Sequence, residues 1–493
     1  MWLEDSTTIP SEPDVCIVGA GPAGLSTALV LGEAGRSVLV LESGAPSLQS
    51  GPQELNDGDH EGEPYVGLAR SRHRQVAGTV NMWNVPVHGE NGAKYVPLSE
   101  RDLAIWPIDW DELEPWYFEA QALCGLGPFE YGADFWATSD RRPFDLTGTA
   151  LTSGVYQFGP KTRFTEELPR RLHELGGVTL QPATTVVGLT TDGVTPGPTS
   201  VNAVGADGES FVIRSRAVVL ACGAVENARL LLLAGFGSES PWLGRGFMEH
   251  ARDFSLSMSP DSPDLVTSAS FYDLHESEDG HLIGGRLALS DEALGGLQLP
   301  NASMTLFPRP RIDGSLLGRV RRRIGGRRGA PPSRYGWSGT AEDGSTSKDF
   351  KVILNAEQRP HRANRIVLSD RTDRFGNRLP RLVLNWSPEE QAQFDRLREV
   401  VAESLRSARL GRLQYVQGRH PDLSAHHHAG TTRMAVSPED GVVDRDGRLF
   451  QSENFFVAGA SVFPTAGFAN PTLTIVAMAI RLARHIDQSL PLP

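Results

Sequence analysis

An α/β unit joined to a strand-rich β domain is the fold class the sequence predicts, and three observations predict it. Residues 14–42 run from a short apolar stretch, DVCIV, through a glycine turn, GAGPAG, and a helical stretch into a second apolar run, SVLVL. Short apolar runs bounded by glycine are how strands buried on both faces read. Residues 216–235, RAVVLACGAVENARLLLLAG, repeat the order of strand, small-residue turn and helix. Residues 252–384, in contrast, alternate as strands do, with KVILN at 351–355 and RIVL at 365–368.

Each element follows from its local pattern. In the first unit the helix starts inside the glycine turn, and Leu25, Ala28, Leu29 and Ala34 fall at roughly helical spacing before the second strand ends at Glu42. Residues 51–110 are rich in Gly, Asp, Pro and Trp and read as irregular. Residues 168–175 read as a helix, 178–190 and 200–212 as strands of a turn-punctuated meander, and 388–410 as a helix charged on one side. Residues 471–485 form an apolar helix. The partition this predicts is a discontinuous nucleotide-binding domain from residues 1–100, 178–250 and 421–493. A substrate domain covers 251–420, and 101–177 connects the two.

Composition narrows the function classes. A chain of 493 residues suits about three structural units. The net charge of −13 argues against a nucleic-acid partner, because neutralising phosphates needs a basic face. Cys16, Cys124 and Cys222 are far apart with no ligand spacing, and Cys16 and Cys222 read as small buried hydrophobes in a reducing compartment. The first residues are acidic and lack the order of a signal peptide, and no apolar stretch is long enough to span a membrane. A cytoplasmic location is the expectation. One segment departs from the acidic whole: between Arg319 and Arg328, RVRRRIGGRR carries six arginines and reads as a solvated loop.

The glycine turn is the first functional signal. Gly19, Gly21 and Gly24 form GxGxxG between a strand and a helix, with an acid at the end of the next strand. Gly19 permits the turn, Gly21 lets backbone approach a pyrophosphate, and Gly24 lets helix and strand pack. The phosphates then meet the open N–H groups of a helix start, and Glu42 accepts hydrogen bonds from a ribose. This is a Rossmann-like dinucleotide unit. The residues leave flavin and nicotinamide both open.

The other end of the chain separates them. His427, Gly430-Thr431 and Arg433-Met434 match HxxGTxRM; GVVD follows at 441–444, SVFPT at 461–465 and NPTLT at 470–474. Together with GAGPAG and Glu42, and with LGRGFMEH at 243–250 and NRIVLS at 364–369, these resemble the glucose–methanol–choline (GMC) flavoprotein oxidoreductases. The fold the resemblance implies is an FAD-binding domain of the GMC and p-hydroxybenzoate-hydroxylase type with a strand-rich substrate domain. GTVNMWN at 78–84 and DELEPWY at 111–117 are similar to the branch of pyranose 2-oxidase and bacterial glycoside 3-oxidases. Where some relatives bond flavin covalently through His, this chain has Met82, which implies FAD held non-covalently. The chain also departs from the family pattern at Ala77, in place of a glycine, and at Gly459, in place of an aspartate.

What the resemblance implies is oxidation of a secondary alcohol of a sugar or glycoside to a ketone, with hydride transfer to flavin N5. An amino sugar, aminocyclitol or other non-sugar alcohol is the alternative substrate. His427 is the implied base, a role that suits a group titrating near neutral pH, and Asn470 its partner on the substrate oxygen. Asn84 is implied to tune the flavin, and Gln358 to touch a substrate hydroxyl. The implied FAD contacts are Gly19, Gly21, Pro22, Ala23, Gly24, Glu42, Ser43, Thr79, Asn81, Met82, Val187, Ala221, Gly223, Ala460, Pro471 and Thr472. O2 or another acceptor takes the electrons. His426, His427 and His428 do not suggest a metal, since adjacent positions on regular structure cannot all face one ion.

Overall fold

The computed structural model describes residues 10–191, 197, 200–310, 347–450 and 452–490. At its centre is a parallel five-stranded sheet in the order Phe455–Val457, Ala217–Leu220, Val15–Val18, Val38–Leu41, Val178–Gln181. The first four of these strands are buried at every position, while Val178–Gln181 at the edge is half-buried. Helices on the faces explain that burial. The helix Pro22–Glu33 packs against the C-terminal helix Thr472–Ser489, which in turn packs against Trp110–Leu123. Arg481 fixes the last contact by pairing with Glu112 at 2.6 Å and Asp446 at 2.7 Å. Sequence positions at both ends of the chain thus share one sheet, and the carboxyl ends of its strands open on one side, where ligands of such sheets bind.

The second core lies under an antiparallel ten-stranded sheet. Its order is Gly411–Gln414, Ser257–Pro260, Ser347–Ala356, Ala302–Pro310, Leu282–Leu289, Leu151–Pro160, Glu90–Tyr95, Val85–Val87. Ala251–Asp253 and Leu274–Glu276 pair with it off this path. Two stretches differ from the expected partition. The segment 101–177, read as a connector, supplies the interior strand Leu151–Pro160. Residues 85–95, read as part of the nucleotide-binding domain, supply two strands at the sheet's edge. Their polar and glycine-containing text has weak periodicity, and pairing with distant strands makes them extended.

The helix Pro388–Ser407 covers this sheet's end through Phe394, Leu397, Val401 and Leu405. Within it Arg398 is fully buried, held by Asp253 at 2.6 Å and Asp395 at 2.6 Å. Among the described residues no helix is long and apolar enough to cross a membrane. The arginine segment from Arg319 to Arg328 lies outside the described residues.

Candidate active site

Three helices begin at one long cavity at the carboxyl ends of the parallel strands. Pro22–Glu33 starts after Gly21, Gly223–Ala234 after Cys222 and Thr472–Ser489 after Pro471, and none of the three has a side-chain cap. The first-turn N–H groups of a helix have no partner inside the helix, so uncapped starts concentrate positive potential on the cavity. The three motif glycines divide by what surrounds them. A Cβ on Gly19 would lie 2.7 Å from the Ala221 carbonyl oxygen, and one on Gly24 would lie 1.9 Å from that of Gly19. A Cβ on Gly21 would meet no protein atom within 4 Å. Packing explains the first and third glycines, whereas the second leaves the backbone open to a ligand's close approach.

Glu42 also borders the cavity, and its carboxylate is already engaged: Oε2 accepts from Ala20 N at 2.9 Å and Oε1 from Gly44 N at 2.7 Å. Burial pushes this carboxyl upward, against those two N–H groups and Arg74. Each oxygen retains a second lone pair for a ribose hydroxyl. Arg72, Arg74 and Arg229 form part of the wall beyond it, paired with Glu226. Uncapped helix starts, an open approach at Gly21 and an acid beyond them fit a pyrophosphate-bridged dinucleotide.

His427 and Asn470 meet at the same cavity although they are far apart in sequence. The chain turns sharply at His426, whose φ of +64° is left-handed. A non-glycine residue held there costs about 1–3 kcal/mol unless its surroundings compensate. Glu249, which is fully buried, compensates by accepting from His426 N at 2.9 Å and His427 N at 2.7 Å. The three histidines have different partners. The Nδ1 of His427 faces the Nδ1 of His250 at 2.8 Å, and His428 Nε2 bonds to the Tyr65 hydroxyl at 2.5 Å. Among the described residues no three His, Cys, Asp or Glu side chains are grouped as metal ligands.

Burial first, then His250, Arg252 and Lys94, hold His427 well below its ordinary pKa, so it is neutral at pH 7. Burial likewise takes His250 down to about 3 and raises Glu249 to about 7.

Of the residues singled out in the sequence, Gly19, Gly21, Pro22, Ala23, Glu42, Ser43, Thr79, Val187, Ala221, Gly223, Ala460, Pro471 and Thr472 line the cavity with His427 and Asn470. Gly24 lies behind it, against Gly19. Asn81 and Met82 do not border it: the Asn81 amide donates to the carbonyls of Val76 and Gly78 at 2.9 Å each and locks the turn. Trp83 does border it, edge-on to Tyr95 and Phe164, whereas Asn84 is exposed outside. Ala77 is left-handed at φ +68°, a conformation that glycine adopts without strain. Gly459 borders the cavity at φ +94°, a conformation that would strain an aspartate.

Gln358 needs correction as a substrate contact. It is buried away from the cavity, and its Oε1 accepts from Glu249 N at 3.1 Å. Glu249 and His250 were missed, although both stand in the LGRGFMEH stretch, because nothing local tells a buried clamp from an exposed pair.

Comparison with known proteins identifies the family and the fold. Residues 14–353 match the family described as FAD dependent oxidoreductase, and 360–479 match that described as GMC oxidoreductase. The chain is 26% identical over 297 residues to 6'''-hydroxyparomomycin C oxidase of Streptomyces lividus, covering 57% of this chain and 47% of the relative. It is 42% identical over 71 residues, 14% of each chain, to C-glycoside 3-oxidase of Arthrobacter globiformis. The chain spans about half the length of 6'''-hydroxyparomomycin C oxidase and of paromamine 6'-oxidase of Streptomyces fradiae, which it also matches. The crystal structure of pyridoxine 4-oxidase from Mesorbium loti has the same fold, with a TM-score of 0.56 over 96% of this chain and 98% of that one at 16% identity. The chain therefore belongs to the FAD-dependent oxidoreductases, with FAD as the dinucleotide its cavity takes, and carries the GMC oxidoreductase domain at its C-terminal end.

Proposed function

We propose that the protein oxidises a secondary alcohol of a sugar or glycoside to a ketone, with FAD held without a covalent bond and His427 as the base. The observation that carries this reading is His427 itself, neutral and on the cavity wall with Asn470. When bound, FAD supplies the acceptor for the hydride leaving the alcohol carbon. His427 takes the hydroxyl proton on Nε2, since Nδ1 is occupied by His250. Asn470 hydrogen-bonds the substrate oxygen without titrating, and Pro471 restricts its backbone so that the amide stays fixed. Met82 supports non-covalent attachment, because a thioether is no substitute for the histidine that links flavin in some relatives. The reduced flavin passes its electrons to O2 or another acceptor.

The similarity to C-glycoside 3-oxidase supports a glycoside. The longer match to 6'''-hydroxyparomomycin C oxidase supports a second reading, an amino sugar or aminocyclitol. Arg252 and Lys94 favour the first, because both add positive potential at His427 and disfavour an ammonium beside it. The test is the visible spectrum of the purified protein, recorded anaerobically while free sugars, glycosides and amino sugars are added. Bleaching by glycosides supports the first reading, and bleaching by amino sugars alone supports the second. A flavin untouched by every compound overturns both. Readmitting air then tells O2 from other acceptors.

A further inference from the structure

His427 serves as a base only while the nitrogen facing the substrate is bare. Its other nitrogen, Nδ1, lies 2.8 Å from Nδ1 of His250, with the rings nearly perpendicular at a centroid distance of 4.9 Å. Both rings are neutral at pH 7, so each carries one proton, and one of those two protons lies between the facing nitrogens. Its owner decides the chemistry. If His250 were the donor, His427 would carry its proton on Nε2 and present an N–H to the hydroxyl it must deprotonate. If His427 is the donor, its Nε2 is bare.

The base role of His427 decides between these, because it needs a bare Nε2 on the substrate side. His250 is 1% exposed and does not border the cavity. Its Nε2 is buried and has no hydrogen bond of standard geometry among the described residues. With the His250 proton on Nε2, its Nδ1 is an acceptor. The platform is rigid, because Glu249 holds the backbones of His250, His427 and His426 and is itself held by Gln358.

We propose that His250 is a positioning residue, which accepts the Nδ1–H of His427 and so fixes the tautomer whose Nε2 is bare. This rests on His427 being the base, and the experiment separates the two. Flavin reduction is followed anaerobically in a single turnover, using the glycoside that bleaches the wild-type flavin. The variants are His250→Phe, His250→Asn and His427→Ala, each checked for bound FAD and melting temperature.

His250→Phe keeps a ring but offers no acceptor, and it slows reduction roughly 10–100-fold with little change in the half-saturating concentration. His250→Asn can place its amide oxygen where Nδ1 was, and it restores the rate to within about threefold of wild type. Wild-type reduction in His250→Phe overturns the proposal. So does equal slowing of both variants in step with lost FAD or a lower melting temperature, the mark of a purely structural role. If His250→Phe does not fold, 15N-histidine spectra of the wild type decide, with the His427 signals identified by their loss in His427→Ala. A proton on His427 Nδ1 and a bare Nε2 support the proposal, and the reverse overturns it. Wild-type reduction in His427→Ala would instead remove the base assignment and leave the tautomer to the spectra alone.

Discussion

The helices Pro388–Ser407 and Pro22–Glu33 both begin with proline, and there the likeness ends. At the first, the Ser387 hydroxyl accepts from Glu390 N at 3.1 Å, the Glu390 carboxylate accepts from Ser387 N at 2.8 Å, and two acids occupy the first turn. At the second, Gly21 offers no side chain and no acid follows. The same contrast holds for buried charge. Arg398 is neutralised by Asp253 and Asp395, whereas Arg252 and Lys94 raise the potential at His427. One region satisfies its own polar groups and is built to be stable. The other leaves donors and potential for a ligand and the reaction, so its groups gain full value only when the site is filled.

If the two regions do different work, substitutions should divide them. Arg398→Ala leaves Asp253 and Asp395 buried without their cation and should destabilise by about 3–5 kcal/mol, read from the urea midpoint. FAD affinity of the folded protein should not change, and a joint loss would erase the distinction. Gly24→Ala drives a Cβ into the Gly19 carbonyl and should cost about 1–3 kcal/mol of stability even without FAD. Gly21→Ala meets no protein atom, so the FAD-free protein should unfold as wild type does. Its FAD affinity, measured by titration, should fall about tenfold, some 1.4 kcal/mol. Ser387→Ala removes a cap and should cost about 1 kcal/mol with FAD affinity unchanged.

A further effect is on the pH dependence of stability. His250 is depressed to about 3, so its contribution is complete above the ordinary histidine value and is lost as pH falls toward 3. Glu249 is raised to about 7, so its contribution is complete below the ordinary glutamate value and is lost as pH rises toward 7. Between about pH 4.5 and 6.5 the two slopes oppose each other and nearly cancel. Glu249→Gln should unmask the histidine, so that stability falls with falling pH by up to roughly 1.4 kcal/mol per unit more than in wild type. Parallel urea-midpoint profiles for the two proteins across that window would break this assignment.

The parts of the fold that could be read in the sequence were those specified locally. The strand at 14–18, the glycine turn and the second strand ending at Glu42 show as periodicity and turn chemistry within a few residues. The C-terminal helix shows for the same reason. Leu151–Pro160 did not, because LTSGVYQFGP has mixed polarity and is held extended by Leu282–Leu289 on one side and Glu90–Tyr95 on the other. His427 and Asn470 came from a motif that names residues but not their neighbours. The neighbours are where the reading ran out. Glu249 acquires its role from backbone N–H groups far along the chain, and Gln358, expected at the substrate, spends its amide oxygen on Glu249. A contact between distant segments leaves no local pattern.

The most direct measurement is the single-turnover rate at which an added glycoside reduces the flavin of His427→Ala, compared with wild type at equal FAD content. Loss of a general base predicts a fall of about 100-fold or more with the fold and FAD retained. A folded, flavin-loaded His427→Ala that reduces within about tenfold of wild type would contradict the assignment of His427 as the base.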